Sequence, residues 1–216
     1  MRESDVLVEI ILPTSASADL AAAAKSLRET ATQMGTGVRV VENNAEEVRC
    51  LTLKVGGREV VNPARESDDI PAWLLEAAVL RELKPRGLLF LCVANSARSQ
   101  LGEGVARLLA PSAVRVQSAG SHPTGVRPEA AAVMAELGID SSIHSSKNVA
   151  EIDPATVDTV ITLCGEEECP LFLGKALRLH WGLSDPAAVQ GDEETRLDAF
   201  RRIRDELRRR LSVVFS

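Results

Sequence analysis

The run Leu88-Leu89-Phe90-Leu91-Cys92-Val93-Ala94-Asn95-Ser96-Ala97-Arg98-Ser99-Gln100 passes from four apolar residues into a small polar loop and then into helix-forming sequence. A short apolar run bounded by a loop reads as a buried strand, and Ser99 to Leu109 reads as the helix after it. In open α/β sheets ligands sit beyond the carboxyl ends of the strands. A loop that enters a helix N-terminus aims several backbone N–H groups at one point, where the helix dipole favours negative charge. Cys92 opens this loop and Arg98 closes it, a Cys-x5-Arg spacing. Such a field favours thiolate over thiol. The planar guanidinium suits two oxygens of a tetrahedral anion. Val93, Ala94, Asn95, Ser96, Ala97, Arg98 and Ser99 are therefore the expected oxyanion cradle, and Ser99 is placed to donate to the sulfur and cap the helix.

Outward from this loop the pattern alternates. Strands are expected at Val114–Ser118, Val157–Leu163 and Ala176–His180, and helices at Pro128–Leu137, stopped by Gly138, and Glu193–Leu211. Leu197, Phe200, Ile203, Leu207 and Leu211 fall at three- and four-residue steps, one core-facing stripe. Strands separated by helices imply a four-stranded parallel sheet with helices on both faces. The arginines Arg201, Arg202, Arg204, Arg208, Arg209 and Arg210 read as the solvated face of the last helix. Upstream lie a strand at Val6–Leu12, a helix at Ala16–Met34 stopped by Gly35 and Gly37, and a strand at Val38–Val41. Val48–Val55 and Arg58–Val61 flank the hairpin signal Gly56-Gly57, and Ile70–Leu83 is a second helix. Lys84-Pro85-Arg86-Gly87 marks the boundary between a small α/β domain, 1–86, and the domain of the cysteine loop, 87–216.

Bulk properties narrow the functions. The net charge of −6 argues against a nucleic-acid partner, which requires a basic footprint. No stretch approaches the ~20 apolar residues of a membrane span, and Val6–Leu12 is too short for a signal-peptide core. The expectation is a cytoplasmic protein without membrane contact. There, four cysteines point to redox or catalytic chemistry before a structural disulfide framework. His122, His144 and His180 show no metal spacing with one another or with the cysteines, so no metal and no cofactor is expected.

Cys92 to Gln100 followed by Gly102-Glu103-Gly104, with Ser118-Ala119-Gly120 and Asp185-Pro186 further on, resembles the low-molecular-weight tyrosine phosphatases over about residues 87–214. It is closer still to their arsenate-reductase relatives. The resemblance implies that Cys92 is the nucleophile and Asp185 the general acid. Two features favour the reductase branch. Cys164 ends an apolar strand and Cys169-Pro170 follows, as in reductases similar to this chain. Phosphatases of the family place aromatic residues after Asp-Pro, whereas here Ala187 and Ala188 follow and the chain has no tyrosine. The phrase Leu179-His180-Trp181-Gly182-Leu183-Ser184 also looks like the reductases. Electron counting agrees, since arsenate to arsenite takes two electrons and one new disulfide supplies two. The expected relay runs from a Cys92 adduct to a Cys92–Cys164 and then a Cys164–Cys169 disulfide. The final pair is reduced by an external dithiol, thioredoxin. Helix rise puts residues 164 and 169 about 7.5 Å apart, against roughly 4.4 to 6.8 Å between disulfide-linked Cα atoms. A helical 164–169 segment would thus have to rearrange. Phosphate and sulfate are the expected analogues of arsenate.

The resemblance has departures. Many such reductases carry a cysteine where Ala97 stands, and some bind potassium near the loop. Here the ammonium of Lys147, with Glu103, Asn95 and Ser118 as neighbours, would replace that ion. Residues 1–86, in the order strand, helix, strand, hairpin, helix, are similar to a minimal thioredoxin-like domain, and a different small α/β fold fits that order equally well. Its redox position, Pro13-Thr14-Ser15-Ala16-Ser17, lacks cysteine, and Cys50 reads as core. A docking or homodimerisation role is expected there. Two rivals stand beside the reductase. One is a phosphomonoester-hydrolysing tyrosine phosphatase needing only Cys92, Arg98 and Asp185. The other is a non-enzymatic anion or thiol-stress sensor.

Overall fold

The computed structural model describes residues 6–14, 16–34, 38–45, 51–60, 70–165 and 170–216. Cys50, Cys169, Gly35, Gly37 and Glu166–Glu168 lie outside the described residues. The chain divides into two compact units, Met1–Lys84 and Pro85–Phe215.

The first unit contains β1 (Val6–Pro13), α1 (Ala18–Gln33), β2 (Val38–Ala45), β3 (Thr52–Val55), β4 (Arg58–Val60) and α2 (Ala72–Leu83). Its sheet has the order β2-β1-β3-β4, with β2 parallel and β3 antiparallel to β1. Val6, Val8, Ile10 and Leu12 alternate onto the buried face of β1, and Leu53 and Val55 continue that face on β3. Gly56 and Gly57 both adopt positive φ between β3 and β4, the backbone a two-residue hairpin turn demands. β2 runs four residues beyond the expected Val41. The apolar run ends at Glu42, but β2 lies at the sheet edge, where polar side chains face water while the backbone stays paired to β1 as far as Ala45.

The second unit contains β5 (Gly87–Cys92), α3 (Arg98–Leu109), β6 (Arg115–Gly120), α4 (Pro128–Ala135), β7 (Thr159–Thr162), β8 (Leu177–His180) and α5 (Glu193–Val214). Its four strands are all parallel in the order β6-β5-β7-β8. β5 is central and every one of its residues is buried, so it reads as an unbroken apolar run rather than an alternating one. Leu89 and Leu91 pack with Ala119, Ile152, Val157, Val160 and Phe172 on one face. On the other face α3 lies close against β5. A Cβ on Gly102 would stand 2.8 Å from the Phe90 ring, so only glycine allows this approach. α3 and α4 both pack on α5. Arg204 departs from the expected solvated arginine face. It is 7% exposed, donates to the Val133 carbonyl of α4 and pairs with Glu136 and Asp205, so it clamps α5 to α4. Among the described residues no helix is long and apolar enough to cross a membrane.

Candidate active site

Strand β5 ends at Cys92 and α3 begins at Arg98, so the five residues between them turn over the carboxyl end of the central strand. The carbonyls of this loop are taken up from outside. His122, Thr124 and Arg127 donate backbone N–H bonds to the oxygens of Val93, Ala94 and Ser96 at 2.9, 3.1 and 2.9 Å. The Ser146 hydroxyl also donates to Ala94. Fixing the carbonyls outward leaves the loop amides directed inward. The α3 N-terminus receives no side-chain cap, so its amides are available to a ligand. A cavity of about 250 Å³ opens here, lined by Cys92–Ala94, Ser96–Arg98 and, opposite, Asp185. It lies below the ~300–1,000 Å³ of drug-sized sites and suits a small anion.

Asn95 is absent from that lining because its side chain turns the other way. It holds a left-handed φ of 45°, a conformation that asparagine tolerates better than most residues, and is fully buried. The directions of its hydrogen bonds follow from which groups own protons. The Lys147 backbone N–H donates to Asn95 Oδ1 at 2.8 Å, which orients the amide. Asn95 Nδ2 then donates to Ser99 Oγ at 2.8 Å and to Ser118 Oγ at 2.9 Å. Ser99 Oγ lies 2.9 Å from Cys92 Sγ, so when the sulfur is a thiolate, which can only accept, the Ser99 hydroxyl donates to it. The Ser118 hydroxyl donates to Glu103 Oε2. Glu103, itself buried, is neutralised by Arg107 at 2.6 Å and by Lys147 Nζ at 3.6 Å. A buried carboxylate requires such partners. Two hydrogen-bonded arms thus diverge from Asn95, one through Ser118 to the Glu103 ion cluster and one through Ser99 to the sulfur of Cys92.

A second layer pins the backbone of Asn95. Gln100 Nε2 donates to the carbonyls of Asn95 and Ser145, both at 3.0 Å. Its Oε1 must therefore accept, which makes His144 Nδ1, at 2.9 Å, a donor. Burial pushes the pKa of His144 down, partly opposed by the Glu103 charge. Gly120 completes the packing. A Cβ there would stand 2.4 Å from the Val93 carbonyl oxygen, so the end of β6 passes the loop only as glycine.

Arg98 is almost fully buried. Its Nη1 donates to the Leu183 carbonyl at 3.1 Å, and Nη2 lies 3.7 Å from Asp185 Oδ1. Asp185 also caps the short 3-10 turn Pro186–Ala188 through the Ala187 N–H. Leu183 N–H in turn donates to the Leu163 carbonyl at 3.2 Å, and Leu163 N–H donates to the Leu91 carbonyl at 2.8 Å. Leu163 is thereby tied both to the residue before Cys92 and to the segment carrying Asp185. Cys164 is the next residue. It is fully buried and outside the cavity lining, and neither Cys92 nor Cys164 is disulfide-bonded.

The sequence model of the family described as low molecular weight phosphotyrosine protein phosphatase matches residues 87–215. The chain belongs to this family. The arsenate reductase of Bacillus subtilis is 41% identical to it over 124 residues, 56% of this chain and 89% of that protein. Two solved structures, an arsenate reductase in the phosphate binding state and one in oxidized state, share 32% and 30% identity with TM-scores of 0.51 and 0.52. They cover 58% and 60% of this chain and 93% and 96% of their own.

Within this low-molecular-weight phosphatase domain, the structure gathers Cys92, Arg98 and Asp185 around one cavity. Asn95, Ser99, Glu103, Ser118 and Lys147 meet in one network behind it. Cys164 stands one residue past the tie to β5. Cys169 lies outside the described residues. Sequence analysis missed Gln100, His144, Arg107 and the Leu183 carbonyl as parts of the site. The available signal was the polar run Arg98-Ser99-Gln100 with Glu103 at the start of a helix whose partners are apolar. Arg98, Ser99, Gln100 and Glu103 are all buried, and buried polar residues imply satisfied bonds.

Proposed function

We propose that the chain reduces arsenate to arsenite with Cys92 as nucleophile and Cys164 and Cys169 as the second and third thiols. The observation that carries this proposal is the place of Cys164, one residue beyond a position hydrogen-bonded to both rims of an oxyanion cradle. The naming of similar proteins as arsenate reductases supports it. Arsenate binds in the cradle with two oxygens on Arg98. Cys92 thiolate attacks arsenic, and Asp185 protonates the oxygen that leaves as water. Cys164 thiolate then attacks Cys92 Sγ. The sulfur–arsenic pair stays on arsenic, which departs as arsenite, and the Cys92–Cys164 disulfide forms. Cys169 attacks Cys164 and frees Cys92. An external dithiol, thioredoxin on this reading, reduces the Cys164–Cys169 pair. No resident cofactor takes part.

On the same reading Lys147 supplies the positive charge beside Glu103 that a bound potassium ion would otherwise provide, and turnover is expected to be insensitive to potassium. Residues 1–86 form a separate domain for docking or self-association, tested by the solution mass of the whole chain and of residues 87–216. The phosphatase alternative finds less support, because among the described residues no aromatic side chain lines the cavity and Ala187 and Ala188 follow Asp185-Pro186. Parallel assays separate the two. Dithiol-coupled arsenate turnover that disappears in Cys164→Ser supports reduction. Aryl-phosphate hydrolysis without arsenate turnover, surviving Cys164→Ser and Cys169→Ser, refutes it.

A further inference from the structure

His180 ends β8 opposite Thr162 of β7, two residues before Cys164. Its Nδ1 lies 2.8 Å from Thr162 Oγ1. The Thr162 hydroxyl has one proton, and the Leu179 carbonyl, 3.2 Å away, takes it, since a carbonyl oxygen can only accept. Thr162 Oγ1 therefore accepts from His180, the neutral imidazole carries its proton on Nδ1, and Nε2 is left with a lone pair. Nε2 has no hydrogen-bond partner among the described residues, and the residue is exposed, so it exchanges protons with solvent. The ring and the carbonyl of the second cysteine flank the same glycine. A Cβ on Gly182 would lie 3.0 Å from His180 Nε2 and 3.1 Å from the Cys164 carbonyl oxygen. A side chain at position 182 would stand between imidazole and the Cys164 backbone, and the Trp181 and Leu183 amide bonds to Thr162 and Leu163 hold the two segments in that register.

We propose that His180 is the proton acceptor for the Cys164 thiol, a role that rests on Cys164 being the second thiol of the relay. An ordinary thiol, with a pKa of ~8.5, is mostly protonated at neutral pH and is then a poor nucleophile. In the step, Cys164 Sγ–H gives its proton to Nε2, the thiolate attacks Cys92 Sγ, and a sulfur–sulfur bond forms. The bond from Cys92 Sγ to its adduct breaks, with the electron pair leaving on arsenic. When the adduct is a sulfenic hydroxyl the pair leaves on oxygen, and imidazolium returns the proton to make water. The charged groups around the ring are engaged elsewhere. Arg178 of the same strand donates to the Phe172 and Gly174 carbonyls. Asp158, ahead of β7, accepts from the amides of Arg86 and Gly87. Asp185 faces Arg98. β7 itself carries no charge, and Glu166–Glu168 follow Cys164 outside the described residues.

The test uses the full chain, with His180→Asn keeping a donor for Thr162 while removing the Nε2 base. Cys92 is oxidised to sulfenic acid with hydrogen peroxide at low pH, the pH is raised, and the Cys92–Cys164 linkage is followed by acid quench and mass mapping. Wild type is expected to form the linkage rapidly at neutral pH. His180→Asn is expected to be slower by ~100-fold at neutral pH and to recover only as the solution is made alkaline enough to ionise the thiol without a base. An unchanged profile, a uniform loss at every pH, or no Cys92–Cys164 linkage in wild type would overturn the proposal. A parallel arm with arsenate separates the two claims. Linkage by peroxide with His180 dependence, but none by arsenate, leaves the base in place and removes the arsenate substrate.

Discussion

Each sheet has one strand that turns straight into a helix, and the two junctions use the same geometry differently. Between β1 and α1 the turn closes with Ala16 N–H on the Pro13 carbonyl, and Ser17 caps the helix by accepting from Leu20 N–H at 3.3 Å. The helix end satisfies itself. Between β5 and α3 no side chain caps the helix. The polar groups of the loop are committed backward, to the 122–127 segment and to Ser118, which in turn donates to Glu103. The forward amides face a cavity with a cysteine and a buried arginine. A strand–turn–helix becomes a binding site when its amides are left unspent and everything behind them is held.

The comparison breaks most severely at the guanidinium. Arg98→Lys keeps the charge but loses the planar fork and the bond to Leu183, so arsenate kcat/KM should fall by ~10² to 10³. Steady-state kinetics checks this, and a loss below about threefold would mean that the cradle does not orient its anion through Arg98.

Next in size is Asn95. Asn95→Ala removes the donors to Ser99 and Ser118 and strands the Lys147 N–H, at a cost of roughly 1–3 kcal/mol in unfolding free energy. Turnover should also fall, by ~10-fold or more, because the Ser99 proton loses its direction. Asn95→Gly relieves the left-handed backbone but lacks the amide. If Asn95→Gly matches wild type in both denaturation and turnover, the hydrogen-bond chain is irrelevant and only the backbone matters.

A smaller effect is expected from His144. Its folded pKa is depressed below 6.5, so below that pH the unfolded chain binds more protons than the folded one. The stability contributed by the neutral imidazole is complete above about pH 6.5 and is lost as the pH falls through the folded value. The difference in denaturation midpoint between wild type and His144→Gln should therefore shrink on acidification across that window. A constant difference would contradict the sign.

The smallest effect belongs to the other junction. Ser17→Ala should destabilise the first unit by about 1 kcal/mol through the lost cap and leave arsenate turnover of the whole chain unchanged. A loss of turnover at that position would erase the contrast between the two helix starts.

How much was legible in the sequence follows the same division. The cradle is contiguous, so Cys92, Arg98 and Ser99 announced it through local spacing alone, and the parallel sheet followed from the alternation after Gly87. The groups that hold the cradle come from afar and act largely through backbone. The Leu183 carbonyl on Arg98 is 85 residues away, and the amides of His122, Thr124 and Arg127 carry no side-chain signature. His144 was weighed only as a metal ligand, because its partner Gln100 is set 44 residues away by the fold. Arg204 looked like its solvated neighbours until α4 supplied an acceptor carbonyl. Helix α5 also runs past the expected Leu211 to Val214. Val214 is buried, and Glu206 pairs with Arg209 and Arg210 along the last turns.

Disulfide mapping of the full chain after a single turnover with arsenate, in the absence of any external dithiol, bears on all of this most directly. One arsenite released per chain together with a linkage between cysteines 92 and 164, or 164 and 169, is the expected result, with both signals gone in Cys164→Ser. Arsenite release that persists in Cys164→Ser, or fully reduced cysteines after exposure to arsenate, would contradict a relay built on the sulfur beyond Leu163.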